Sequence, residues 1–317
     1  MRGPLPLRVT ILLLGGAAFL LLFPIAGERF WIELVTKIMI SAIFALSLDL
    51  LVGYTGLVSL GHAAFFGAGG YTLAVLGRDL HLVSIAATLP LCVLASGLLA
   101  LGIGWLSIRT KGAYFIMITL ALSQMLFHVV HDSRALGGSD GMYLDKKPLL
   151  AIAGHTLLDL RDKITLYYVT LACLSAVFLF AWRLVRSPFG RVLSAIRASE
   201  PRARALGHPT PRYKLMSFVL AGALAGLAGY LACAESGFMN PAHLGWRDSG
   251  RVLVIVILGG AGTLYGPVLG AFAFSLLEEL ASSLTERTPL VLGAFVIAVV
   301  LLLPRGIAGL FEGGRRG

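Results

Sequence analysis

Apolar runs about as long as a bilayer is thick recur along this 317-residue sequence, and that constrains the fold more than any single motif. They fall at about 9–25, 34–52, 58–77, 83–107, 113–131, 165–185, 214–234, 251–283 and 288–304. In lipid, runs of this length must satisfy their own backbone hydrogen bonds, and helices do so within each segment. The expected fold class is therefore all-α: one polytopic transmembrane helical bundle over 1–317, with about eight spans plus a broken, re-entrant helix pair. Composition agrees, since only 13% of residues are charged, about half the usual share of a soluble domain. The net charge of +10 sits in short loops without interleaved aromatics, so it points to a lipid bilayer and not to nucleic acid.

The first run has a basic flank, like a signal peptide, but reads as an uncleaved span because a polytopic chain needs no cleavage to insert. The eighth run is too long for one crossing and is interrupted by Gly259, Gly260, Gly262, Gly266 and Pro267. Read as two half-helices it returns to its own side. The N-terminus, 109–111, 183–214 and the C-terminus then share the cytoplasm and hold 15 of the 26 Lys and Arg, opposed only by Glu200 and Glu312. A single crossing would strand Arg305, Arg315 and Arg316 outside, against the positive-inside tendency. Segment 132–164 is then a short folded periplasmic loop, turning at Gly137–Gly141.

The cytoplasmic segment 186–213 carries strong local signals. Ser187-Pro188 opens one helix, with Ser as N-cap and Pro at the first position. Ser199 is expected to cap a second, short helix that ends at Gly207, with Pro209 and Pro211 blocking its continuation. Its apolar positions Ala203 and Leu206 lie three apart on one face. A helix this short is unstable alone, so the membrane domain or a partner must hold it.

Cys92, Cys173 and Cys233 lie in or beside apolar spans and read as small buried hydrophobes. His128, His131 and Asp132 read as a wetted helix end. No catalytic set of acid, base and nucleophile appears in the polar loops, and no phosphate-cradling Gly-x-x-x-x-Gly-Lys-Ser/Thr run occurs. The chain therefore reads as a non-enzyme without a cofactor of its own.

Five stretches, in order between about 35 and 310, carry a resemblance. They are Gly53–Phe65, Arg109–Tyr114, Gly137–Gly141, Arg186–Gly207 and Ile257–Pro267. Together they resemble LivM-type permeases, membrane subunits of branched-chain amino acid ABC importers in the bacterial inner membrane. The resemblance implies a heterodimer with a second, LivH-type permease, two cytoplasmic ATPase subunits that bind ATP-Mg, and a periplasmic substrate-binding protein. It also implies that 199–207 is the ATPase-coupling helix, with Arg191, Arg197, Ser199, Glu200, Arg202, Ala203, Leu206 and Gly207 as coupling residues. Glu200 and Gly207 are seven residues apart, one more than in the general importer signature.

The glycine breaks bear on the route. Interrupted helices expose backbone dipoles that must face protein or a water-lined path. Gly53, Gly56 and Gly61 roughly mirror Gly259, Gly262 and Gly266, with Gly260 beside them. A path for an apolar zwitterion needs a few hydroxyls or dipoles, so Thr55, Ser59, His62, Tyr71 and Thr263 are its expected liners. Asp49, an acid inside a span, is a functional candidate in its own right. Urea, short amides, sugars or nucleosides are alternative cargoes in the same class. An ion-driven secondary transporter would need more buried acids than this chain offers.

Overall fold

The computed structural model describes residues 7–26, 28–152, 155–284, 287–303 and 306–311. Arg2, Arg305, Glu312, Arg315 and Arg316, used in the charge argument, lie outside the described residues.

Helices α1 (Leu7–Ala26), α2 (Arg29–Asp49), α3 (Ala63–Asp79), α4 (Ile85–Ser107) and α5 (Ala113–Asp132) precede the loop, and α6 (Lys163–Arg186) follows it. Two short helices come next, α7 (Pro188–Ala198) and α8 (Glu200–Ala205), followed by the long α9 (Thr210–Ser236). The chain closes with α10 (Trp246–Gly259), α11 (Tyr265–Leu284), α12 (Thr288–Leu302) and α13 (Ala308–Phe311). The helical class is as expected, with one addition. Strand β1 (Met142–Tyr143) pairs antiparallel with β4 (Phe238–Met239), and β2 (Leu149–Ile152) pairs with β3 (His155–Asp159).

Among the described residues, six helices are long and apolar enough to cross a membrane: α2 with its continuation to Thr55, α4, α5, α6, α9 and α11. Of the other expected crossings, α1 has 20 residues, α3 has 17, α10 has 14 and α12 has 15. Helix α3 starts inside the bundle after an irregular segment, and α10 follows the 3-10 turn Pro241–Leu244. The Ala63 N–H at the start of α3 donates to Ser249 Oγ of α10 at 2.9 Å. The Leu244 carbonyl just before α10 accepts from Ser123 Oγ at 2.9 Å.

The core is built on close approach. A Cβ on Gly229 would lie 1.8 Å from the Phe66 carbonyl, and one on Gly69 would lie 2.1 Å from the Gly226 carbonyl. Gly226 in turn faces Ser96, whose hydroxyl bonds the Phe65 carbonyl at 3.1 Å. The small residues of α9 thus serve helix contact, as their spacing suggests. The outer faces of α4, α5 and α6 expose Leu94, Leu98, Met117, Met125 and Leu179, an apolar rind suited to lipid. Cys92 and Cys233 are buried, Cys173 is half-buried, and all three are free thiols.

Salt bridges and loop contacts define two ends. At one, Lys111 of the α4–α5 loop and Lys214 of α9 both meet Glu200. Arg109 stacks on Trp105 and Arg186 on Trp182 at this end, as expected of an interfacial belt. At the other end, Lys163 pairs with Glu33, Lys37 with Glu235, and the 133–162 segment covers the bundle. That segment has more of a core than its polar sequence suggests, since Met142, Leu144 and Leu160 are buried.

Gly229→Val forces a backbone clash, so it should cost about 1–3 kcal/mol or more. Gly102→Ala, whose added Cβ meets nothing within 4 Å, should leave stability unchanged or slightly raised. Thermal unfolding of the purified protein, followed by tryptophan fluorescence, compares the two.

Candidate functional site: a junction of broken helices and a charged cleft

Two helix breaks meet in the bundle. After Asp49 the α2 helix widens into a π-helical turn over Leu50–Thr55, ended by Gly56 in the left-handed region at φ +75°. Opposite it, α10 stops at Gly259 and the chain turns through Gly260 (φ +109°) and Gly262 (φ +83°) into α11. The breaks touch. A Cβ on Gly53 would lie 2.5 Å from the Gly262 nitrogen and 2.2 Å from Asp49 Oδ1. Only glycine permits that approach, and at Gly262 only glycine readily adopts the backbone.

Side chains from distant segments satisfy the freed backbone groups. The fully buried Asp49 accepts the Gly262 N–H at 2.6 Å. The Arg197 guanidinium at the end of α7 donates to the Gly53 carbonyl, and its stem packs over Gly56. Within the α10–α11 turn, Thr263 Oγ1 donates to the Gly260 carbonyl at 2.7 Å and accepts from the Gly266 N–H at 3.1 Å. Asp49, whose meaning the sequence left open, is thus the clasp between the breaks.

The α10–α11 hairpin is as close-packed as its glycines suggest. A Cβ on Gly259 would lie 2.0 Å from the Gly266 carbonyl, and one on Gly270 would lie 2.3 Å from the Ile255 carbonyl. The hairpin turn sits at the α7 end, and Arg251 pairs with Glu278 further up its two arms. Helices α10 and α11 thus run antiparallel from that turn.

The α7–α8 segment is anchored through a charge cluster. Ser187 Oγ accepts from the Gly190 N–H at 3.3 Å, so the expected N-cap of α7 is present. The cap expected of Ser199 is not, for its side chain makes no capping bond and its carbonyl accepts from Ala203 instead. The neighbouring Glu200 does the anchoring. It accepts from Lys214 Nζ and Arg204 Nη2 at 2.7 Å each and from Thr210 Oγ1 at 3.1 Å, with Lys111 Nζ at 3.6 Å. Burial alone would push the Glu200 carboxyl up, but Lys214, Thr210 and Lys111 together hold it at about 2. Gly207, at φ +85°, ends the turn as expected. Ala203 and Leu206 do not share a buried face: Ala203 is enclosed while Leu206 is 71% exposed. Arg191, Arg202 and Leu206 form the outward face of the segment, and Gly207 is exposed beside them.

Most expected path liners are structural fasteners. Thr55 Oγ1 donates to the Leu50 carbonyl at 3.0 Å and so accepts from Ser217 Oγ at 2.9 Å. Ser59 Oγ accepts the Gly61 N–H at 3.2 Å, and Gly61 lies against the Thr119 carbonyl. Ser47 gives its only proton to the Phe44 carbonyl, so His62 Nε2 is the donor across their 2.8 Å contact. His62 Nδ1 and the Tyr71 hydroxyl find no hydrogen-bond partner among the described residues, and both side chains are buried.

None of these residues lines the open cleft of about 330 Å³ found near the opposite end. That cleft lies between α2, the end of α9 and the start of α10, over Phe44, Phe66 and Ile255, with Lys37, Glu235 and Arg251 among its walls. The sequence signal for it was available but not combined. Lys37 and Glu235 are charges at or inside apolar runs, and Arg251 opens the eighth run. They lie too far apart along the chain to be paired without the fold.

The Glu200 cluster yields a pH prediction. A carboxyl held below its ordinary 4.5 adds stability that is full above pH 4.5 and lost as pH falls toward about 2. With Arg204 and Lys111 half-exposed, that contribution is on the order of 2 kcal/mol. Glu200→Gln should lose it at pH 7 and flatten the acid limb, as measured by unfolding from pH 7 to pH 3.

Residues 30–304 match the family described as branched-chain amino acid transport system / permease component. The high-affinity branched-chain amino acid transport system permease protein LivM of Salmonella typhimurium (strain LT2) is 30% identical over 304 residues, covering 90% of this chain and 71% of the relative. The LivH permease protein of Escherichia coli (strain K12) is 24% identical over 284 residues, covering 84% of this chain and 91% of that one. A shorter match, 32% over 129 residues, joins 39% of this chain to 37% of the autoinducer 2 import system permease protein LsrC of Salmonella paratyphi B (strain ATCC BAA-1250 / SPB7). No solved structure matches the chain. With broken helices clasped at a glycine junction and a family match that spans most of its length, the chain belongs to the branched-chain amino acid transport permease family.

Proposed function

We propose that this chain is the membrane permease subunit of an ATP-driven importer for branched-chain amino acids, and that α7 and α8 transmit ATPase movement to the helix junction. The observation that carries the reading is the bond from Arg197 to the Gly53 carbonyl. It ties the amphipathic α7 to the place where two interrupted helices touch. The Glu200 cluster makes the segment a stiff unit with the start of α9. The outward face of Arg191, Arg202 and Leu206 is the surface offered to an ATPase subunit, whose bound ATP-Mg supplies the energy. A rotation of that surface would act on the breaks first, where backbone is held by side chains and not by a helical ladder.

In this reading the chain crosses a bacterial inner membrane about eight times in addition to the α10–α11 hairpin, with both termini in the cytoplasm. Two observations support the orientation. The basic segments 109–111 and 186–213 share one end, and Arg–Trp stacks mark the same level. A second, LivH-type permease completes the translocation route, two ATPases bind from the cytoplasm, and a periplasmic binding protein delivers substrate. The likeness to LivH over most of this chain supports pairing with a related subunit.

In proteoliposomes holding the whole transporter, Arg197→Ala should lower leucine uptake at least tenfold, in the range of a lost charge-assisted hydrogen bond. ATP hydrolysis should continue. Unchanged uptake, or hydrolysis and uptake falling in parallel, would contradict the coupling role. Uptake that persists without the ATPases and collapses with an ionophore would contradict the importer.

A further inference from the structure

The cleft at the end opposite α7 has an unusual combination of walls. Its floor is apolar, from Phe44 and Phe66, whose rings lie 4.8 Å apart, and Ile255. Four charged side chains, Lys37, Glu235, Asp248 and Arg251, rise from it, and they are not equally engaged. Arg251 pairs with Glu278 and stacks over Phe274 at 5.7 Å, which leaves most of its five N–H donors unused. Asp248 is occupied by His243 Nδ1 at 2.7 Å. Glu235 is different. Its side chain is only 13% exposed, yet the nearest cation, Lys37 Nζ, stands 3.7 Å away, beyond hydrogen-bond reach. Lys147 Nζ bonds the Glu235 backbone carbonyl at 2.8 Å.

Among the described residues the Glu235 carboxylate has an ion pair with Lys37 but no hydrogen bond, so it retains acceptor capacity for a donor on a ligand. Here it faces a cleft that also holds cations and an aromatic floor. The complement of such a surface is a small molecule with an ammonium, a carboxylate and an apolar tail.

We propose that this cleft is a relay site for the amino acid zwitterion within the permease itself. Glu235 takes the ammonium, Lys37 and Arg251 take the carboxylate, and the side chain lies on Phe44, Phe66 and Ile255. The proposal rests on the amino acid importer reading and adds to it a site of its own. Recognition of the head is then built into the membrane subunit, because an acid or an amine lacking one charge leaves Glu235 or the cations unpaired.

The test uses the intact transporter in phosphatidylcholine nanodiscs, without binding protein and without lipid amines that could enter the cleft. Saturation-transfer NMR measures the binding of leucine, of isocaproate (leucine without its ammonium) and of isoamylamine (leucine without its carboxylate). Leucine should bind, and each analogue should bind at least about tenfold more weakly. Glu235→Gln should weaken leucine by a similar factor and remove its advantage over isocaproate. Arg251→Gln should erode its advantage over isoamylamine instead. That crossed pattern would not follow from a general loss of structure, and elution of both variants with their partner subunits checks assembly. Absent leucine binding in the wild type, or binding indifferent to both substitutions, overturns the site. Wild-type uptake of leucine separates the two readings: if uptake is normal while the variants bind as wild type, the importer stands and the relay site falls. If no branched-chain amino acid is taken up, the importer reading fails on its own.

Discussion

The contact on which the rest of the structure depends is that between Gly53 and Gly262. An interrupted helix inside a membrane bundle leaves donors and acceptors that lipid cannot satisfy, and each such group costs on the order of a few kcal/mol. Two breaks brought together share the cost. The Gly262 N–H goes to Asp49, the Gly53 carbonyl to Arg197, and Thr263 ties its own turn. The same accounting holds higher in the bundle, where Ser249 serves Ala63 and Ser123 serves Leu244. Every one of these bonds joins segments far apart in the chain except that of Thr263. The irregular backbone is therefore stable only as a set, which makes it suited to move as a set.

This arrangement also explains the location of the charges. Arg197 and Glu200 sit three residues apart but do different work. Arg197 reaches into the junction, while Glu200 fastens α8 and the start of α9 to the α4–α5 loop. One is a linkage and the other a foundation. The outward residues of the same segment, Arg191, Arg202 and Leu206, have no such internal duty, and an exposed leucine there has no folding rationale of its own. An exposed face, a charge-clamped base and a bond to the helix breaks thus occupy about twenty residues of sequence.

The opposite end follows other rules. There the bundle opens into a cleft in which charge and apolar surface adjoin, and Phe238–Met239, which pairs with Met142–Tyr143, forms part of its lining. Thr55, Ser59 and Thr263, expected on the path, make hydrogen bonds to backbone groups, while the Tyr71 hydroxyl makes none among the described residues. The cleft is instead lined by an apolar floor with Lys37, Glu235, Asp248 and Arg251 around it.

By itself the sequence determined the membrane bundle, the glycine breaks and the two-helix segment after α6. These depend on run length, on backbone freedom and on local caps, which are properties of neighbouring residues. Ser187 caps as its position demands, and Gly207 turns as its lack of a Cβ allows. What the tertiary structure alone decided was every pairing across distance. It gave Asp49 to Gly262, placed Glu200 and not Ser199 at the head of α8, and turned Leu206 outward. It also set Lys37, Glu235 and Arg251 around one cleft. The physical reason is the same in each case: a buried polar group takes whichever partner the packing of other helices delivers, and the order of residues along the chain does not record that.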